Sequence, residues 1–171
     1  MRAWAMAMVG GVMLGAVPAW AASGKAALTG TAEGSTVSGL ATLRDTDEGL
    51  QADLRVSGVP AGTHGLHIHE AGDCGDGGTA AGGHFNPDKA PHGFLPKDGA
   101  AKAHPGDMGN IDVGQDGTGS LSLTLPGAHL ASGPYAVAGR AIILHEKADD
   151  FGQPTGNAGG RIGCGAIVLT K

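Results

Sequence analysis

The chain has 171 residues, with 33 Gly, 9 Pro, 41% hydrophobic and 4% aromatic residues; it holds one ordinary domain with its own core, and glycines without a fixed period exclude a collagen-like repeat. With 11 basic against 16 acidic residues, a net charge of −5 and no cluster of Lys or Arg, there is no footprint for a phosphate backbone, so nucleic acid is excluded as a partner. A small anion is not excluded, because one local cation can dominate the field inside a cleft.

The N-terminal segment reads as a targeting signal. Arg2 precedes an apolar stretch from Ala3 to Val17, followed by Pro18 and Ala19-Trp20-Ala21, the small-x-small pattern cut by signal peptidase. Cleavage is predicted after Ala21, which assigns residues 1–21 to a signal peptide and 22–171 to the mature domain. The stretch is interrupted by Gly10, Gly11 and Gly15 and falls short of the roughly 20 apolar residues needed to span a bilayer, so no membrane span is expected after processing. A periplasmic or secreted location follows. In such an oxidising compartment the only two cysteines, Cys74 and Cys164, are expected to form one disulfide.

From there the chain reads as strands. Leu50, Ala52, Leu54 and Val56 alternate with polar residues, as do Leu121, Leu123 and Leu125, the period of a strand with one buried face. Similar runs at 26–32, 37–44, 65–70, 110–113, 140–146 and 162–170 bring the predicted number to eight. Turn signals such as Thr46-Asp47-Glu48-Gly49 and Gln115-Asp116-Gly117 separate them at the spacing of an antiparallel sandwich or barrel. No segment shows helical periodicity. The exception to the strand pattern is the stretch from Ala71 to Asp107, 37 residues dense in Gly, Pro, Asp and Lys. A loop of that length inside a compact domain needs something to order it.

Its histidines supply the candidate. Of the eight in the chain, His67 and His69 flank Ile68 in a strand, so both side chains leave on one face, close enough to share an ion. Cupins share this H-x-H, but their pattern wants a glutamate three to four residues beyond the second histidine, where this chain has Asp73 and Cys74. His84, His92 and His104 lie in the long loop, with Asp107 three residues after His104. Three imidazoles and a carboxylate make a closed tetrahedral set for zinc. His145 ends the apolar strand from Ala141 to Leu144 and is placed to join His67 and His69 at the sheet surface, where an imidazole-rich site suits copper(II). His64 is expected to be a structural hydrogen-bonder at a strand entrance, and His129 sits in a turn without partners.

These motifs together resemble the copper, zinc superoxide dismutases over about Thr36 to Val168. The resemblance is carried by Gly65-Leu-His-Ile-His-Glu-Ala-Gly-Asp-Cys74, Gly82-Gly-His-Phe-Asn-Pro87, His104-Pro-Gly-Asp107, the run from Gly139 to Asp150, and Gly156-Asn-Ala-Gly-Gly-Arg-Ile-Gly-Cys-Gly165. It implies an eight-stranded Greek-key β-barrel with long metal-binding loops. It also implies copper held by His67, His69, His84 and His145, and zinc held by His84, His92, His104 and Asp107, with His84 shared. Carried over in the same way, Asp149 orients His67 and His92, Arg161 stands over the copper as receiver of the superoxide anion, and the reaction yields oxygen and hydrogen peroxide. The rival reading is a non-catalytic copper and zinc carrier on the same fold. Both monomer and homodimer stay open. Between Asp150 and Thr155 there is only Phe-Gly-Gln-Pro, so the charged stretch of better-known relatives is missing; Lys97 and Lys102 are the candidate replacements for its field.

Overall fold

A computed structural model describes residues 22–170; the predicted signal peptide lies outside these residues. Eight strands form a closed antiparallel barrel: β1 (Ser23–Gly30), β2 (Ser38–Thr46), β3 (Gly49–Ser57), β4 (Gly62–His69), β5 (Asp107–Val113), β6 (Gly119–Leu125), β7 (Ala141–His145) and β8 (Arg161–Thr170). Their order around the barrel is β1-β2-β3-β6-β5-β4-β7-β8, and β8 returns to pair with β1, so no sheet edge is left open. The chain connections from β3 to β4 and from β6 to β7 each pass over two intervening strands and are the Greek-key crossings. No helix among the described residues is long and apolar enough to cross a membrane.

The alternation read from the sequence is the alternation observed. Leu50, Ala52, Leu54 and Val56 of β3 point inward to meet Ala41 and Leu43 of β2, Leu66 and Ile68 of β4, and Ile142 and Leu144 of β7. Full burial of a Leu or Ile side chain contributes about 2 kcal/mol. On β2 and β3 the alternate residues face solvent, but all five residues of β7 are buried. Its outer face carries Ala141 and Ile143, which pack with Ala81 and Cys164 under the 71–85 segment. Cys74 pins that segment to β8 through its bond to Cys164, closing a separation of 90 residues. The chain-entropy account puts such a closure at about 4 to 5 kcal/mol.

The structure corrects three boundaries. The first strand covers Ser23–Gly30 rather than 26–32, because Ser23 and Gly24, unremarkable by pattern, pair with Thr170 and Leu169 of β8. The long loop is not wholly irregular: it contains a 3₁₀ turn at Asp76–Ala81 and a single helical turn, α1 (Leu95–Asp98). Finally, β5 begins at Asp107 and not at Asn110, so the acidic candidate ligand stands at the start of a strand, opposite His67.

Candidate metal centre

On β4, Leu66 and Ile68 face the core, which turns His67 and His69 to the outer wall of the barrel. On the neighbouring β7, Leu144 pairs with Leu66 and Ile142 with Ile68, so His145 falls on the same outer face. Register shifts lie at Leu66/His67 and at Leu144/His145, where each strand turns from core packing to site building. Beyond the first shift β4 takes new partners: Ile68 N–H donates to Gly106 O at 2.9 Å, and Ile68 O accepts from Phe85 N–H at 2.9 Å. These two bonds lay the His104–Asp107 stretch and His84 against His67 and His69. Glycine is required at 106, since a Cβ there would stand 2.5 Å from Ile68 O.

The seven predicted ligands converge. Within one group, His67, His69, His84 and His145, one ligand atom from each lies within 4.8 Å of the others. A second group of the same tightness contains His67, His84, His92 and Asp107. His104 adjoins this second group, its Nδ1 3.0 Å from Asp107 Oδ1 and 3.3 Å from His84 Nδ1. His84 stands in both groups, with Nδ1 on the side of His104 and Asp107 and Nε2 left for the other.

The test of whether these residues fit metal ions lies in their unpaired atoms. His67 Nδ1, His69 Nε2 and His145 Nε2 are buried and make no hydrogen bond, while the buried His92 Nδ1 and Asp107 Oδ1 have only other members of the cluster for company, Asp107 Oδ2 and His104 Nδ1, each at 3.0 Å. The opposite ring nitrogens are all engaged with acceptors: His67 Nε2 and His92 Nε2 with Asp149, His69 Nδ1 with Gly82 O at 3.0 Å, and His145 Nδ1 with Gly159 O at 3.3 Å. An acceptor holds the proton on its own side of the ring, which leaves a lone pair on the other. Several lone pairs aimed at one another in a buried site cost free energy unless cations lie between them. The donors therefore fit metal ions, imidazole-only in one group and imidazole plus carboxylate in the other.

Burial sets the charge of these rings. It pushes His69 down to about 2 against the opposing hydrogen bond to Gly82 O, with the Arg161 guanidinium adding to the fall, and it pushes His145 down to about 3. His84 falls to about 4, again chiefly through burial, with Asp107 opposing. Three rings are thus neutral and ready to ligate. In the metal-free chain His92 behaves oppositely: against burial, its bonds to Asp107 and Asp149 carry it up to about 9. Despite their own burial, Asp107 and Asp149 are held well below the usual carboxylate range by the histidines around them.

Arg161, the first residue of β8, donates Nη1–H to Gly78 O at 2.6 Å and Nη2–H to Gly82 O at 2.7 Å. Both carbonyls belong to the segment tethered by Cys74. The guanidinium lines a recess of about 240 Å³ together with His69, His84, His145, Thr155 and Asn157. Neither Lys97 nor Lys102 lines it. A larger hollow on the barrel wall, about 490 Å³ between Leu40, Asp53, Arg55 and Leu121, contains no histidine or cysteine. His64 reaches the carbonyl oxygens of His145 and Pro60 at 2.9 and 2.8 Å, the structural role expected of it. His129 lies away from the site, 3.9 Å from Asp45. Asp150 is an exposed loop acid that accepts from Gly152 N–H and Asn157 Nδ2–H.

Sequence reasoning passed over the amide side chains. Asn110 Nδ2–H donates to Asp149 O at 2.9 Å and Asn110 Oδ1 accepts from Asp149 N–H at 2.7 Å, so β5 grips the residue that orients His67 and His92. Its one local signal is a polar amide in an otherwise apolar run three residues after Asp107.

A closed antiparallel barrel with a buried cluster of six histidines and an aspartate on its outer wall defines a metalloprotein with two adjoining ion sites. Residues 37–167 match the profile of the copper/zinc superoxide dismutase (SODC) family. The chain is 47% identical over 125 residues to extracellular superoxide dismutase [Cu-Zn] of Caenorhabditis elegans, covering 69% of this chain and 55% of that protein. It is 46% identical over 121 residues to superoxide dismutase [Cu-Zn] 2 of Brassica juncea, covering 67% of this chain and 77% of that one. Among solved structures, the crystal structure of the clock protein EA4 superposes with a TM-score of 0.78 at 34% identity, covering 95% of this chain and all of the other. The chain belongs to the copper/zinc superoxide dismutase family, and copper and zinc are the metals its site implies.

Proposed function

We propose that the protein dismutes superoxide, with copper held by His67, His69, His84 and His145 and zinc by His84, His92, His104 and Asp107. The three buried, unpaired imidazole nitrogens of His67, His69 and His145, gathered beside a second cluster of imidazoles and a carboxylate, carry this reading. Bound copper supplies one-electron chemistry, so that one superoxide is oxidised to oxygen and a second is reduced to hydrogen peroxide, while zinc supplies a fixed charge. The protein does the rest. Arg161 attracts and orients the anion: two of its five N–H donors are spent on Gly78 and Gly82, and the remainder serve the recess. Asp149 holds the Nε2 proton of His67, which keeps its Nδ1 available, and takes His92 at Nε2, which aims that ring's Nδ1 at the second group. His84, a member of both groups, would be held through Nδ1 beside His104 and Asp107, and its Nε2 is the ring atom that would hold a proton for the reduced oxygen species. The recess admits a diatomic anion to the copper group and to nothing else ionisable but Arg161.

Export before activity belongs to the same reading, supported by the signal-like residues 2–21 and by a disulfide suited to an oxidising compartment. Metal analysis paired with a superoxide assay tests the whole. One copper and one zinc per chain with accelerated superoxide loss is expected. Copper binding without acceleration would instead establish a carrier. Mass spectrometry of the exported protein, expected to begin at Ala22, tests the processing.

A further inference from the structure

The segment that delivers His92 has almost no backbone partners of its own. Pro91 has no N–H, and the four other amides from 90 to 94 are each taken by a side chain: Ala90 by Asn86 Oδ1 at 2.9 Å, His92 by Gln153 Oε1 at 2.9 Å, Gly93 by Asp107 Oδ2 at 2.9 Å and Phe94 by Asp98 Oδ2 at 2.8 Å. Backbone polar groups in a buried segment must be paired somewhere, and here their pairing depends on chosen residues instead of a ladder. His92 is gripped at both main-chain groups, because Gln153 Nε2–H also donates to His92 O at 2.8 Å.

The grip comes from a stiff turn. Gly156 N–H donates to Gly152 O at 2.7 Å, Asp150 N–H to Gly156 O at 2.9 Å, and Phe151 N–H to Asp149 Oδ1 at 2.8 Å, which fixes Gln153 relative to Asp149. Gly156, with φ +75°, is obligatory, since a Cβ there would stand 1.8 Å from Asp149 Oδ1 and 2.6 Å from His92 Nε2. One turn therefore holds one residue twice: Asp149 takes the imidazole at Nε2 and Gln153 takes the main chain. A single hold at the ring would leave the backbone free to move about it. Two holds fix both the position of the Cα and the direction of Nδ1, which lies 3.0 Å from Asp107 Oδ2.

We infer that Gln153 is a positioning residue for the zinc group, clamping the backbone of His92 so that Nδ1 meets the ion already aligned. The inference rests on the proposed zinc assignment. It is tested in the copper- and zinc-loaded protein by the rate of zinc release to 4-(2-pyridylazo)resorcinol, and by the visible spectrum after cobalt(II) replaces zinc. Gln153→Met keeps the length and removes both hydrogen bonds; it is expected to release zinc about tenfold faster and to alter the cobalt bands, the size of effect seen when a supporting contact to a ligand is lost. Gln153→Glu keeps the acceptor for His92 N–H and is expected to recover part of that loss. Gln153 is exposed, so in the metal-free protein water can reach and pair the freed N–H and O of His92, and the unfolding midpoint of the Met variant should stay close to that of the parent. Parental zinc release and cobalt bands in the Met variant would overturn the inference while leaving the metal assignment intact. A midpoint lowered in step with zinc retention would mark Gln153 as a general brace, and overturn it too. A parent protein that retains no zinc would overturn the assignment itself.

Discussion

The two walls of the barrel are built by different rules. On the wall formed by β2, β3 and β6, residues alternate between core and solvent, and nine consecutive pairs join β2 to β3 without a break. On the wall formed by β4 and β7, the outer face is buried as well, both strands change register at their first ligand, and the covering segments are held by side chains. The first wall is stable by burial and ladder alone. The second concentrates neutral imidazoles and unpaired lone pairs in one place, so its order depends on the ions it is built to hold and on the disulfide that fastens its cover.

The largest test of this division is the disulfide. Replacing Cys74 and Cys164 together by Ser should cost about 4 kcal/mol in denaturant unfolding, and hydrogen exchange should rise over 71–85 far more than over β2 and β3. Equal loosening of both walls would break the comparison. On the other wall, Leu54→Ala should cost about 3 kcal/mol by leaving a cavity, and by the same amount with and without metals, because Leu54 lies in the core away from the ligands. A cost that changed with metal loading would show the walls to be coupled. Arg161→Ala should retain both metals yet lower kcat/KM by about tenfold at low salt and flatten its dependence on ionic strength, since a steering charge acts through the field. Unchanged salt dependence would remove Arg161 from that role.

The smallest effect is one of protons. His92 of the metal-free protein, raised to about 9, is charged at neutral pH and must lose the proton on Nδ1 to take zinc. Zinc binding at pH 7.5 should release about one proton from this ring, seen by calorimetry in buffers of different ionisation heat, and the release should fade as pH rises past 9. The same raised value stabilises the metal-free fold below the unfolded value of 6.5, and that contribution is lost as pH rises through 9. His69 and His145 have the opposite sign: their lowered values favour the fold above 6.5, and the contribution is lost as pH falls toward about 3 and below. Metal-free stability should therefore decline on both sides of neutrality.

The first wall was legible in the sequence because period-two alternation in Leu50–Val56 and Leu121–Leu125 is a direct imprint of one-sided burial. The ligands were legible for a different reason, the rarity of six histidines and an acid at such spacings. What hid was the means of bringing them together. Asp107 read as the end of a loop because Asp-Met-Gly looks nothing like a strand, with Gly109 at φ +79° and the acid fully buried. The roles of Asn110 and Gln153 depend on reaching a backbone 39 and 61 positions away, and an amide side chain carries no local sign of such a partner. Start and stop of β1 were set by pairing with β8, which no window around Ser23 contains.

The carbonyl of Gly82 accepts both from His69 Nδ1 and from the guanidinium of Arg161. One peptide oxygen thus sets the tautomer of a ring in the histidine cluster and the pose of the guanidinium that lines the recess beside it. Shifting this peptide to re-aim the arginine would therefore also turn the His69 ring, so the entrance and the donor set behind it cannot be redesigned separately.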